Sequence, residues 1–213
     1  NASTDRTLKI VESLAEKDKR IKVIFNLRNF GQIRSPFYGM LQANGDAIIL
    51  LASDFQVLIE LIPELISKWK MGHEAVMLQR SKSEEFFILE YVKIFFYKFI
   101  NKISEVNLTK NTTGSGIYDR KIINRMKSIN EPYPYFRGLV AEFAENIELV
   151  KFDQPLRFKG KSKNNFYSLY DYGMLGLIKH SKIPLRIMTI FGFGCSVLFL
   201  LISIIFFILK TDL

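Results

Sequence analysis

A single cysteine, Cys195, in 213 residues excludes an internal disulfide and any cysteine-built zinc site. Its place inside an apolar run makes it a packing residue. Histidine is nearly as scarce: His73 and His180 are far apart and in unlike contexts, so they suggest no metal pair. There is no Ser/His/Asp set, no Walker-type phosphate loop and no GxGxxG, which removes the commonest signatures of hydrolases, P-loop enzymes and dinucleotide binders. No initiator Met opens the chain.

What is present is apolar and basic. Hydrophobic residues make up 48% of the chain and aromatics 14%, with 19 Phe, so a sizeable core is available and disorder is excluded. The length suits one α/β domain with an appendage, because single cores stop growing near 250 residues. A net charge of +9 fits nucleic acid, a membrane surface or small anionic substrates, and charge alone does not choose among them. Nucleic acid has nothing but that charge behind it, and much of the charge lies beside the apolar run described next, so no nucleic-acid partner is expected.

Between Arg186 and Lys210 lie 23 uncharged residues, IMTIFGFGCSVLFLLISIIFFIL. As a helix they span roughly 35 Å against about 30 Å of hydrocarbon, the dimension of a transmembrane span. A buried core helix would carry a polar edge, and this run offers only Thr189, Ser196 and Ser203. Lys179, Lys182 and Arg186 precede the span and only Lys210 follows it, so the positive-inside rule expects residues 1–182 in the cytoplasm. The sequons at Asn107 and Asn111 then read as polar loop.

Residues 1–79 alternate between helical and strand-like patterns. Ser3-Thr4-Asp5 caps a helix with Leu8, Val11 and Leu14 on one stripe, and IKVIFNL (21–27) reads as a strand. A helix over about 32–43 stops at Asn44-Gly45, DAIILLA (46–52) is an apolar strand, Pro63 opens another helix, and EAVMLQR (74–80) is a further strand. Such alternation implies a mainly parallel α/β sheet covered on both faces, with ligands beyond the carboxyl ends of its strands. Two polar clusters fall there: Asn1–Asp5, and Ser53-Asp54-Phe55-Gln56. The chain opens as if at a strand end with no strand before it, so the expectation is an α/β domain lacking its first βαβ unit.

The segment 84–104 reads as an amphipathic helix lying in a membrane interface, or as a helix packed on the sheet. Residues 161–183 read as a juxtamembrane helix, with Tyr167, Tyr170 and Tyr172 at headgroup level, and residues 184–210 as the span; the α/β domain occupies 1–160. Asp54 after its strand suits a divalent cation bridging phosphates, though an isolated acid there reads first as a helix N-cap or loop acid. Arg157, Lys159, Lys161 and Lys163 around Gly160 suit phosphate groups, and suit equally a solvated basic loop beside an anionic bilayer.

In order along the chain, NASTDRT, LRNFGQ, NGDAIILLASDFQ, ELIPELISKW, YFRGLVAE and RFKGKSKNNFYSL resemble consecutive landmarks of family-2 glycosyltransferases. The subgroup they most resemble is the polyprenyl-phosphate sugar transferases, which includes dolichol-phosphate mannose synthases and bactoprenol glucosyltransferases. The resemblance covers nearly the whole chain. It implies a GT-A type nucleotide-diphospho-sugar domain, interfacial amphipathic helices and a C-terminal transmembrane helix. It also implies Mg²⁺ or Mn²⁺ held at an Asp-x-Asp motif, which here retains Asp54 alone with Ala52 in the first acid's place. By the same resemblance Asn1, Ser3 and Asp5 lie on the nucleotide, Ser53 and Gln56 flank the metal acid, and Arg157, Ser162 and Lys163 lie near the donor phosphates. Arg80 and Arg137 match positions near the sugar or lipid phosphate. Asn111 and Gly114 stand where relatives carry acids, so no base is identified.

The implied function is inverting transfer of a sugar from a nucleotide-diphosphate donor to a polyprenyl phosphate at the cytoplasmic face of a bacterial cell membrane. Asp54 is the central catalytic and metal residue of that reading. Rival readings are transfer to a glycan or another membrane lipid, and a non-catalytic homologue that binds nucleotide sugar or an active partner. A homo-oligomer is compatible with all three.

Overall fold

Four short strands among the described residues carry the architecture, and their residues explain their order. The computed structural model describes residues 1–81, 94–95, 97–98, 100–104, 106–155 and 165–211. Strands β1 (Ala47–Leu50), β2 (Ala75–Arg80), β3 (Thr112–Asp119) and β4 (Ile147–Phe152) form one sheet in the order β1-β3-β2-β4. β3 runs antiparallel to both neighbours, and β2 pairs with β4 in parallel. The sheet is therefore mixed, not mainly parallel. β1 and β2 do run the same way, as strand–helix alternation requires, but β3 inserts between them.

That insertion was masked by composition. TTGSGIYD carries Gly114 and Gly116 where a strand usually has β-branched or aromatic residues. Gly116 pairs with Leu50 on one side and Met77 on the other. At φ +156°, a Cβ there would meet the Val76 carbonyl oxygen at 2.2 Å, so glycine is required for the two strands to close on β3.

Helices cover both faces. α1 (Thr7–Lys17), α2 (Gly31–Gln42), α3 (Ile62–Lys70), α4 (Arg120–Ser128) and α5 (Phe136–Phe143) belong to this unit. Strand alternation sends Ala75 and Met77 to a core with Phe37 and Met40 of α2, Ile122, Ile123 and Met126 of α4, and Leu139 and Val140 of α5. It sends Val76 and Leu78 to the other face, with Leu65 of α3, Val57, Ile117 and Val150. Leu65, Val76 and Leu78 are wholly buried, each worth about 1.5–3 kcal/mol of transfer free energy. Tyr118 anchors the first core: its hydroxyl donates to the Gly114 carbonyl at 2.6 Å and its ring meets Phe136 edge-on at 4.9 Å.

One expectation fails at the N-terminus. Segment 21–27 is not a strand: it pairs with no described residue in a sheet, and a β-rich run without a partner has no ladder to join. α1 forms as expected, with Asp5 Oδ1 accepting from the Thr7 amide at 2.9 Å, but it buries no residue. Leu8 and Leu14 of its apolar stripe stay 42% and 47% exposed.

The second unit comprises residues 91–107 and 163–213. Residues 94–95, 97–98 and 100–103 are helical, while residues 84–93 lie outside the described residues. α6 (Phe166–His180) opens with a capping box: Asn165 Oδ1 accepts from the Ser168 amide at 2.8 Å and Ser168 Oγ from the Asn165 amide at 2.9 Å. α7 (Ile183–Thr211) follows after Ser181 and Lys182. Over Ile183–Lys210 its mean hydropathy reaches 2.7 with none of that stretch buried, so it is long and apolar enough to cross a membrane.

Candidate functional site

The carboxyl ends of β1, β2 and β4 and the start of β3 lie along one edge of the first unit's sheet. Leaving β1, the chain makes a tight loop through Ala52–Gln56. Asp54 Oδ1 accepts from the Gln56 amide at 3.2 Å, and Phe55 between them sits at φ 56°, a left-handed conformation that costs a bulky residue about 1–2 kcal/mol. Asp54 and Gln56 are half-buried, Ser53 and Ala52 exposed. The turn acid expected as one reading of Asp54 is thus observed; a role toward a ligand is an addition to it.

At the end of β2, Arg80 donates its amide to the Asn111 carbonyl at 3.0 Å. Its side chain continues the Val76–Leu78 face by alternation, the face that also receives Val57 from the end of the Asp54 loop. Arg80 Nε is buried with no hydrogen-bond partner among the described residues. From α5, Arg137 Nη1 donates to the Thr112 carbonyl at 3.0 Å, and its guanidinium lies 5.8 Å from the Tyr135 ring centroid. The Arg80 main-chain amide and the Arg137 guanidinium therefore donate to consecutive carbonyls at the entry to β3. Asn111 (φ 58°) and Gly114 (φ 79°) bracket this entry in the left-handed region, which Asn and Gly tolerate best.

The N-terminal cluster is held by amides. Asn1 Oδ1 accepts from the Phe30 amide at 2.9 Å and from Asn26 Nδ2 at 3.2 Å, while Asn1 Nδ2 donates to Asn29 Oδ1 at 2.9 Å. Asn26 Nδ2 also donates to Ser35 Oγ at 2.9 Å, tying the loop to α2. Ser3 is exposed and Asp5 caps α1. Beside this cluster Arg34 lies between two rings, 5.2 Å from Phe30 and 4.8 Å from Tyr133, with Arg28 on Phe30 at 4.9 Å. Asn26, Asn29 and Arg34 were missed by sequence reasoning; the polar pair within LRNFGQ was their one visible signal.

Arg157, Ser162 and Lys163 lie outside the described residues. Of the expected site residues, Asp54, Ser53, Gln56, Arg80 and Arg137 share the sheet edge, and Asn1, Ser3 and Asp5 form the separate amide-held loop. Among the described residues no group of three His, Cys, Asp or Glu could hold a metal ion. Asp153, at the same edge, follows β4, three strand spacings or roughly 14 Å from β1. Asp54 is one carboxylate at this edge, which together with substrate phosphates is within what a Mg²⁺ site uses.

The opposite end of the sheet is structural. Lys68 of α3 binds Glu148 at 2.6 Å, which holds the Glu148 carboxyl below its ordinary value and raises the Lys68 ammonium. Trp69 Nε1 donates to Asp119 Oδ2 at 2.8 Å, and Asp119 Oδ1 caps α4 at the Lys121 amide.

A mixed sheet with helices on both faces and a polar crevice at its strand ends defines an α/β ligand-binding domain. Residues 1–130 match Glycosyl transferase family 2, and the chain belongs to that family. It is similar to an uncharacterized glycosyltransferase of Synechocystis sp., 32% identical over 99% of this chain and 66% of the relative. A putative glycosyltransferase of Bacillus subtilis is 30% identical over 98% and 62%. A bactoprenol glucosyl transferase of Shigella phage SfV is 31% identical over 94% and 66%. The chain thus spans just under two thirds of the length of these relatives. Members of the family commonly use a divalent metal.

Proposed function

We propose that the protein is a membrane-bound glycosyltransferase that moves a sugar from a nucleotide-diphosphate donor to a polyprenyl phosphate at the cytoplasmic face of the cell membrane. The observation that supports this reading is the placing of Asp54, Arg80 and Arg137 near the strand ends at one sheet edge of a family-2 domain. The acceptor class is supported by relatives named bactoprenol glucosyl transferase, and the bilayer by the apolar length of α7.

In this reading an oxygen of the lipid phosphate attacks the anomeric carbon from the face opposite the leaving group. The bond to the nucleoside diphosphate breaks, the diphosphate leaves with the electron pair, and configuration inverts. A phosphate monoester is largely ionised at neutral pH, with a second pKa of about 6, so the nucleophile needs no strong base. This accommodates Asn111 and Gly114 in place of acids. Arg80 and Arg137 offset phosphate charge, aided by Arg157 and Lys163. Asp54 orients the donor as a hydrogen-bond acceptor, and Asn1, Ser3 and Asp5 border the nucleotide. α6, with Tyr167, Tyr170 and Tyr172, suits the bilayer surface where the lipid would enter.

The test is transfer of radiolabel from a panel of nucleotide sugars into organic-extractable lipid, using membranes carrying the full-length protein and added polyprenyl phosphate. Label from one donor that depends on the added lipid is expected. Ala52 in the first acid's place favours a second reading, a non-catalytic nucleotide-sugar binder; donor binding with no label in any product would select it.

A further inference from the structure

Two guanidiniums share one aromatic ring in the first unit, and no carboxylate pairs with either among the described residues. Arg28 lies 4.9 Å from the Phe30 ring centroid and Arg34 5.2 Å, while Arg34 also lies 4.8 Å from the Tyr133 ring. Resting on the function proposed above, we infer that Arg34, with Arg28 beside it, binds a phosphate group of a substrate, either the donor diphosphate or the lipid phosphate.

The charge here is uncompensated by design of the sequence. No acid stands between Asp18 and Asp46, a stretch that carries Lys19, Arg20, Lys22, Arg28 and Arg34. Glu131, the acid nearest Tyr133 along the chain, turns Oε1 to the Tyr133 amide at 3.1 Å. Neither Arg28 nor Arg34 forms an ion pair among the described residues. Through the shared ring the two guanidiniums lie no more than about 10 Å apart, inside one Debye length at 0.1 M salt, so an anion beside both relieves a repulsion that salt only partly screens. Contacts to rings hold Arg34 without using any of its five N–H donors. A half-buried guanidinium fixed in this way is set for bidentate capture of phosphate oxygens.

The cluster also stands where substrates bind in such domains. α2 runs into β1 through residues 43–46, so its first turn, which carries Arg34, lies toward the carboxyl end of β1 and the Asp54 loop. The Phe30 amide donates to Asn1 Oδ1 at 2.9 Å, which joins the shared ring to the loop proposed to border the nucleotide. Phe37, one turn further along α2, meets Phe136 of α5 edge-on at 6.4 Å, and this packing sets α2 beside the α5 start that Tyr133 leads into.

The test is calorimetric titration of the full-length protein in detergent with UDP, with GDP and with geranyl phosphate. Arg34→Gln is expected to weaken either the nucleotides or the prenyl phosphate about tenfold or more, the loss of one charge-assisted contact, and the ligand that loses affinity names the source of the phosphate. Arg34→Lys keeps the charge without the planar fork and loses less. Tyr133→Leu removes one ring and no donor, and is expected to weaken the same ligand about threefold. Arg28→Gln, at an exposed position, folds whatever Arg34→Gln does and weakens that ligand severalfold. Unchanged affinity for all three ligands in folded Arg34→Gln, or in Arg28→Gln where Arg34→Gln does not fold, overturns the inference and leaves the proposed function standing. A parent protein that binds none of the three overturns it as well. Weakened binding in the variants, with no sugar transfer by the parent, upholds the inference and overturns the proposed function.

Discussion

Gly116 and Val76 are in backbone contact so close that any side chain on Gly116 would enter the Val76 carbonyl: an added Cβ would lie 2.2 Å from that oxygen. The first prediction follows from that distance. Gly116→Ala forces β2 and β3 apart at the centre of the sheet, where Gly116 also pairs with Leu50. A cost of about 3 kcal/mol is expected, at the upper end for overpacking. A thermal melt of the purified variant that matches the parent would contradict the register described above.

Asp54→Ala is expected to reduce sugar transfer at least about 100-fold in a protein that still folds and inserts, the scale of losing one oriented polar contact to the reacting groups. Asp54 accepts the Gln56 amide in its turn, so part of any loss is structural. Comparing turnover with melting temperature separates the two contributions. Undiminished turnover removes Asp54 from the site.

Trp69 joins α3 to the cap of α4 through Asp119. Trp69→Phe keeps much of the apolar body and deletes the N–H, leaving one Asp119 oxygen without that donor. A loss of about 1–2 kcal/mol in denaturant unfolding is expected, with no change in nucleotide affinity.

Lys68 and Glu148 give the sheet a pH dependence of definite sign. The bond to Lys68 lowers the Glu148 pKa from 4.5, so its contribution is present above pH 4.5 and is lost as pH falls through the depressed value. The same bond raises Lys68 from 10.5, so that contribution is present below pH 10.5 and is lost as pH rises past the raised value. Glu148→Gln should therefore lower the melting temperature slightly at pH 7 and not at all well below pH 4. Both groups are partly exposed, so high salt should shrink the difference.

α7 is expected to be integral to a bilayer. Leu198→Arg places a charge near the middle of the apolar run, at a cost of about 2.5–3.5 kcal/mol on insertion scales. Carbonate extraction of membranes should leave the parent in the pellet and release a measurable share of the variant. Complete release of the parent would refute the span.

Much of the candidate site was legible one segment at a time. Asp54 stood out as an acid closing an apolar strand, and Arg80 as the charged end of EAVMLQR. The meeting of Arg80 and Arg137 at residues 111 and 112 was not legible, because it depends on a strand that two glycines disguise. The amides of Asn1, Asn26 and Asn29 were hidden for a similar reason: their bonds reach across about 28 positions of chain.

The sequence by itself determined what rests on local rules. The 23 uncharged residues of α7, the Asp5 turn that starts α1, the Pro63 start of α3 and the apolar runs of β1 and β2 need only period, length and capping chemistry. Tertiary structure decided what depends on a partner. It placed β3 between β1 and β2 and made the sheet mixed, and it left segment 21–27 without a ladder despite its strand-like composition. It also drew two arginines 57 positions apart onto one edge. A strand exists only through hydrogen bonds to another strand, and a site only through side chains that the fold brings together, so neither is written in any single stretch of residues.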